Sequence, residues 1–328
     1  MAANTPAPQP FSIPVSGVGA QAGAKLRVPQ HFRFANDIPT VGSQFADGVA
    51  TIELPVGQYT YRMIKLNVSS TIVVVGKSFA MGLRNYINTA NLSDYISKVA
   101  LEIDGKIAQE FFISELVDWN KLMNYDAQNG VLTLAFGSPG VFKDEVAEDA
   151  YLLGTADLRS VRVLVTLTSA WVATLKLNCN VEYAKVARPV GYLVTMQRSR
   201  YTAPGSGDFI ITDLPHGIDM AAIWFRSTNA IFAGSIQLDV DTETVFEASA
   251  LELKSLNQIW GKDIAQLPAA DIYLDFWREL DAGKGLASLS AIAQVRRDAK
   301  LKATLTFDAA GASFYAITFH CGPYKAQR

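Results

Sequence analysis

Residues 99–111 read VALEIDGKIAQEF, and residues 235–249 read SIQLDVDTETVFEAS. Each alternates apolar and polar side chains, breaks at an Asp-led turn, and resumes, which is the pattern of a β-hairpin with one face toward a core. A helical pattern follows each at once, ISELVDWNKLMNY at 113–125 and ALELKSLNQIW at 250–260. An offset of 137 residues, the distance from Ile103 to Val240, brings Asp104 onto Asp241 and Glu110 onto Glu247. The same offset brings Leu116 onto Leu253, Trp119 onto Leu256 and Asn120 onto Asn257.

The match continues outward from the hairpins with small drifts of the kind loops introduce. VLTLAF (131–136) faces IYLDFW (272–277), and VRVLVTLT (161–168) faces LKATLTF (301–307). LKLNCNVEY (175–183) faces ITFHCGPY (317–324), which sets Cys179 on Cys321. Upstream, ELPVG (53–57) meets DLPHG (213–217) at the larger offset of 160, so the first copy carries an insertion within 68–97. A fixed order over such a long period signals two homologous domains, not a solenoid.

Strand-like runs fall near 49–54, 61–68, 71–75, 98–103, 107–112, 130–136, 160–168 and 172–184 in the first copy. In the second they fall near 193–198, 208–213, 219–226, 234–240, 243–247, 271–277, 300–307 and 313–321. They are rich in Val, Ile, Thr, Tyr and Phe, and many alternate with period two. The expected class is all-β: two tandem jelly-roll domains, each an eight-stranded antiparallel sandwich with one short helix after a hairpin. In the first helix Ile113, Leu116, Val117, Leu122 and Met123 recur at helical spacing, with Ser114 as the expected N-cap. In the second, Gly261 is the expected C′ stop. Breaker clusters at 185–191 and 201–207 mark a short junction. The expected division is an N-terminal arm at 1–47, a first jelly roll at 48–187 and a second at 188–328.

With 29 basic against 31 acidic side chains the formal charge is -2, which argues against a protein built to hold nucleic acid. Two cysteines are too few for a disulfide framework, and burial as free thiols is expected for both. No apolar run approaches the roughly 18 residues of a spanning helix. The N-terminus lacks a charged region followed by an apolar one, so synthesis and folding in a cytoplasm are expected.

Motifs of reactive chemistry are only weakly matched in the sequence. Gly17-Val-Gly-Ala-Gln-Ala-Gly23 has glycines without the strand and helix of a dinucleotide loop, and Ala282-Gly-Lys284-Gly lacks the rest of a phosphate loop. Asp239, Asp241 and Glu243 are the candidate metal residues, for a calcium ion at an interface; an EF-hand is ruled out by Thr244 and Ala250 where Gly and Glu are required. Solvated hairpin carboxylates are the simpler reading. The acidic run Asp144, Glu145, Glu148 and Asp149 reads as surface. His31, His216 and His320 are isolated in sequence, and no GxSxG motif occurs. Trp119, Trp171, Trp224, Trp260 and Trp277 sit inside periodic patterns and read as core; an exposed row of them would indicate a sugar platform.

Two sandwiches in tandem, each with a hairpin followed by a helix, resemble the double jelly-roll major capsid proteins of tailless icosahedral viruses. The resemblance is closest to the corticovirus-type coat protein of membrane-containing bacteriophages. It rests on Leu54-Pro55-Val56-Gly57-Gln58, on Val99 to Lys106, on Tyr192 to Arg198 and on Ile211 to Pro215, and it spans about residues 48–325. It implies a non-enzymatic structural subunit with no cofactor, located in the virion and made in the host bacterial cytoplasm. It implies a homotrimer with a pseudo-hexagonal outline. Neighbouring capsomers, penton and minor capsid proteins and the viral inner membrane are the implied partners, and specific nucleic acid is not. The alternatives are a carbohydrate-binding or adhesion module of tandem sandwiches and an enzyme on the same scaffold.

Residues 1–47 are rich in Pro and Gly and contain Lys25, Arg27 and Arg33 with no acid before Asp37. A loosely docked terminus is the plain reading. The sharper one is an arm under the shell whose three cations meet anionic headgroups or a neighbouring subunit.

Overall fold

The computed structural model describes residues 33–35, 40–71, 84–87, 91–123, 125, 130–136, 152–215, 220–227, 232–249, 252–253, 255, 268, 271–275, 300–307 and 313–324. In the first half the strands are β1 (Arg33–Ala35), β2 (Thr40–Val41), β3 (Val49–Leu54), β4 (Thr60–Thr71) and β5 (Arg84–Tyr86). A short helix α1 (Leu92–Tyr95) leads into β6 (Ile96–Ile103), β7 (Lys106–Phe112), helix α2 (Ile113–Leu122), β8 (Val131–Ala135), β9 (Leu153–Gly154), β10 (Val161–Leu167) and β11 (Leu175–Ala184). In the second half they are β12 (Tyr192–Thr202), β13 (Gly207–Ile211), β14 (Met220–Ser227), β15 (Phe232–Val240), β16 (Glu243–Ser249), β17 (Ile272–Asp275), β18 (Leu301–Phe307) and β19 (Ser313–Pro323).

Every described strand pairing is antiparallel, and strands up to Ala184 pair only with one another, as do those from Tyr192. Sheet I runs β1-β11-β4-β5 with β8 and β9 also on β4, and sheet II runs β2-β3-β10-β6-β7. Sheet III runs β12-β19-β14-β17, and sheet IV runs β13-β18-β15-β16. Sheets I and III have the same order once β1, β11, β4 and β8 are set on β12, β19, β14 and β17. Sheets II and IV match with β3, β10, β6 and β7 on β13, β18, β15 and β16. The fold is a double jelly roll, and the duplication read from the sequence is a duplication of topology.

The period-two pattern explains the core. In β10 Val161, Val163, Val165 and Leu167 are buried while Arg162, Leu164 and Thr166 are half-buried. The counterpart β18 repeats that rhythm with Leu301, Ala303, Leu305 and Phe307 buried. Each of these Val, Leu and Phe side chains contributes about 1.5–3 kcal/mol on full burial. Sheet III departs from the rhythm. Met220 through Phe225 are all buried, and so are Phe314 and 316–321, which means both faces of this sheet are covered.

The two hairpins share the conformation and anchoring of the Asp that opens each turn. Asp104 and Gly105 both have positive φ, 50° and 79°, in the two-residue loop that closes Ile103 on Lys106. Asp104 accepts hydrogen bonds from Arg159 N and Ser160 N at 2.7 and 3.1 Å. Asp241, its counterpart, has φ 56° and accepts from Lys300 N at 3.0 Å.

Two expectations change. The segment read as an arm to residue 47 holds two strands: β1 pairs with β11 (Arg33 opposite Tyr183) and β2 with β3. Arg33 therefore begins a strand of the first barrel. Lys25 and Arg27 lie outside the described residues. The N-cap of α2 is Phe112 and not Ser114: the Phe112 N–H donates to Glu115 Oε2 at 2.9 Å, so the helix starts without a break from β7. The position equivalent to Phe112 is Ser249, where a full reciprocal cap forms with Glu252: Ser249 N–H donates to Glu252 Oε2 and Glu252 N–H to Ser249 Oγ, at 2.8 and 3.2 Å. Within the 68–97 insertion the described residues form the end of β4, then β5 and α1.

Candidate assembly interface between the two barrels

Helix α2 continues directly from β7 and projects acids and an aromatic from one face. Glu115, Asp118 and Trp119 follow at i, i+3 and i+4, so they line up along the helix. Its opposite face buries Ile113, Leu116 and Asn120 in the first barrel. Asn120 is fully buried and clamps the helix to β8: its Nδ2 donates to Thr133 O at 2.8 Å and its Oδ1 accepts from Thr133 N at 2.6 Å.

The acids and Trp119 meet sheet III of the second barrel. Trp119 stacks on Phe319 with ring centres 4.5 Å apart, and its ring lies 6.2 Å from Trp224 and 5.8 Å from Tyr273. This is the layer that covers the outer face of sheet III. Beside it Asp118 Oδ2 lies 2.7 Å from an Arg226 guanidinium nitrogen, and the second Arg226 nitrogen lies 3.7 Å from Asp271 Oδ2. Asp271 also accepts from Trp224 Nε1 at 3.1 Å. Glu115, buried at 2% exposure, pairs with Arg198 of β12. Arg198 also donates to Glu110 O at 3.1 Å and lies 4.4 Å above the Phe112 ring. Along the edge, Gln109 Nε2 donates to Val194 O at 2.9 Å, bringing β7 of sheet II against β12 of sheet III.

Burial and charge act against each other here. Loss of solvent pushes the Asp271 carboxyl up to about 7, and Arg226 offsets only part of that rise. Glu115 is likewise raised by burial and partly restored by Arg198. The junction adds a second set of contacts. Thr60 Oγ1 donates to Val186 O, Ala156 N–H to Arg188 O and Val190 N–H to Asp157 Oδ1, at 2.6, 2.8 and 2.9 Å. Tyr324 OH, near the end of the chain, donates to Asp104 Oδ2 at 2.8 Å, so the hairpin turn of one barrel holds the last strand of the other.

The residues singled out by the sequence lie elsewhere. Asp239 is used within sheet IV: it accepts from Lys302 Nζ, Gln237 Nε2 and Thr244 Oγ1 at 2.7, 2.6 and 2.8 Å, which hold its carboxyl down to about 2. Asp241 serves the hairpin turn and Glu243 is exposed. Among the described residues no three His, Cys, Asp or Glu side chains are grouped to hold a metal ion. His320 is buried with Nε2 3.1 Å from Thr318 Oγ1; His31 and His216 lie outside the described residues. Cys179 and Cys321 are both buried free thiols, and burial pushes Cys179 up to about 12. Trp171 and Trp224 are buried and Trp119 faces sheet III; Trp260 and Trp277 lie outside the described residues, as do the two glycine motifs and the acidic run at 144–149.

The pairs at the barrel contact were not singled out in the sequence. One local signal exists: Arg226 ends MAAIWFR, a strand otherwise apolar from Met220, and a lone cation in such a run needs a buried partner.

No family model and no curated protein matches the sequence. Solved structures do. The major capsid protein P2 of bacteriophage PM2 superposes with a TM-score of 0.69 at 18% identity, covering 90% of this chain and 98% of that one. The STIV MCP gives 0.57 at 10% identity, covering 90% and 98%. PBCV-1 VP54 gives 0.53 at 12% identity, covering 92% and 99%. At these identities the likeness is one of fold, over nearly the whole of both chains.

Proposed function

We propose that this chain is a major capsid protein, a structural and non-enzymatic subunit that trimerises into pseudo-hexagonal capsomers of an icosahedral virion shell. The observation that carries the reading is the contact between its own barrels. The first barrel offers β7 and α2; the second receives them on β12, β14 and β19. These are unlike surfaces, so the contact is head-to-tail, and contacts of that kind generate rings when the rotation closes.

The topology supplies the next contact. The counterpart of β7 and α2 in the second barrel is β16 with the helical residues from Glu252, and β16 has no described strand partner beyond β15. Its natural acceptor is the first barrel of another copy. Six barrels from three chains then close one ring. Such rings, tiled with neighbouring capsomers, penton and minor capsid proteins over an internal membrane, form the shell. Barrels divided at about residue 188 are the packing units. Among the described residues no helix is long and apolar enough to cross a membrane, so the shell reading assigns lipid to a surface contact.

Light scattering on the purified protein at several ionic strengths tests this. Three chains of 35.6 kDa weigh about 107 kDa, and a stable species of that mass, or shells made from it, is the expected result. A monomer at every ionic strength and concentration overturns the reading.

A further inference from the structure

The two barrels differ at one edge. In sheet II, β2 lies outside β3, with Thr40 opposite Ile52 and Val41 opposite Thr51. In sheet IV the counterpart of β3 is β13, and its one partner among the described residues is β18. Chain length dictates the difference. The first barrel has residues 36–48 between β1 and β3, which is room for β2; the second has only Ala203–Ser206 between β12 and β13. Sheet edges are normally guarded by lysine, proline or a bulge. β13 reads GDFII, keeps an unbroken register with β18, and carries Ile210 at 52% exposure on its outer face.

We propose that β13 is a docking edge for a strand from a second copy of this chain, and that the strand is Lys25-Leu26-Arg27-Val28 of that copy. Four observations select this occupant. The chain already covers the equivalent edge of its first barrel with a strand from its N-terminal region. The stretch alternates, so Leu26 and Val28 would extend the inner face formed by Phe209 and Ile211, while Lys25 and Arg27 would fall beside the exposed Asp208, with the exposed Asp213 just beyond. Pro29, which lacks an N–H, would end such a ladder. Finally, residues 29–32 tether Val28 to β1 within about 17 Å, and among the described residues β7 and α2 of the first barrel meet the second barrel of their own chain on sheet III. A neighbour's arm is therefore the better placed. Backbone hydrogen bonds along β13 would supply affinity, and the side-chain alternation register.

The inference rests on the capsomer reading only in requiring that copies meet. The full chain carrying Arg27→Cys and Asp208→Cys is treated with a short bis-maleimide; the native Cys179 and Cys321 are buried. Expected are adducts of two or more chains, at least tenfold above either single variant, with the yield falling when Ile210→Lys is added. Assembled protein by light scattering that yields no adducts, or only crosslinks within one chain, overturns the docking edge and leaves the capsomer reading intact. Protein that is monomeric throughout overturns both.

Discussion

Asp271 has a fully buried side chain and three partners, Arg226, Trp224 and the Ser227 backbone. Its carboxyl is raised from 3.8 to about 7, so between those values the folded chain keeps a proton that the unfolded chain releases. Stability from this group is therefore fully present below about pH 4 and is lost as pH rises toward 7. Asp271→Asn should remove that slope: the stability difference between variant and wild type, read from urea midpoints, should shift in favour of the variant as pH rises from 4 to 7, then level off. A difference independent of pH would show that Asp271 is already ionised in the fold. Beyond the lone cation Arg226, this was not legible in the sequence: Asp118, Arg226 and Asp271 lie far apart along the chain, the β14–β17 register sets Arg226 beside Asp271, and the packing of α2 on sheet III adds Asp118.

At the scale of elements, local signals read well and nonlocal ones did not. The hairpin at 99–111 is written in its own turn. Gly105 has φ 79° and no atom near the site of a Cβ, so Gly105→Ala should cost backbone energy alone, about 1–2 kcal/mol in a denaturant titration. Gly154 differs. A Cβ there would meet Pro189 O at 2.3 Å and Arg188 O at 2.5 Å, both backbone atoms at the junction. Gly154→Ala should therefore be worse than Gly105→Ala, although Gly154 needs no special φ. Equal midpoint shifts for the two would refute that ranking. The strands the sequence missed, β1, β2, β5 and β9, have two or three residues each and exist only through distant partners, as Arg33 does through Tyr183. The run MAAIWF shows the other kind of limit. Its unbroken apolarity fits a sheet buried on both faces, but nothing in the run names the aromatic from α2 that covers the second face.

At the scale of the molecule, the duplication was legible because both barrels keep the same strand order with nearly constant spacing. Their mutual placement was not, because the surfaces in contact come from unlike parts of the two copies. Trp119 carries that placement. Trp119→Ala should cost about 3 kcal/mol or more, and calorimetry should then show two separate transitions where the wild type shows one. A single transition, merely lowered, would mean the junction contacts around Arg188 and Val190 couple the barrels without it.

The short connection from Ala184 to Tyr192 has a kinetic meaning. It holds the barrels of one chain together at an effective concentration of about millimolar or more, so their contact forms during folding and dilution cannot open it. In the proposed ring the matching contact between chains would have no such tether and would obey mass action. Half of the joints in the proposed ring would then be complete before any two chains collide, and the other half would form only as protein concentration rises.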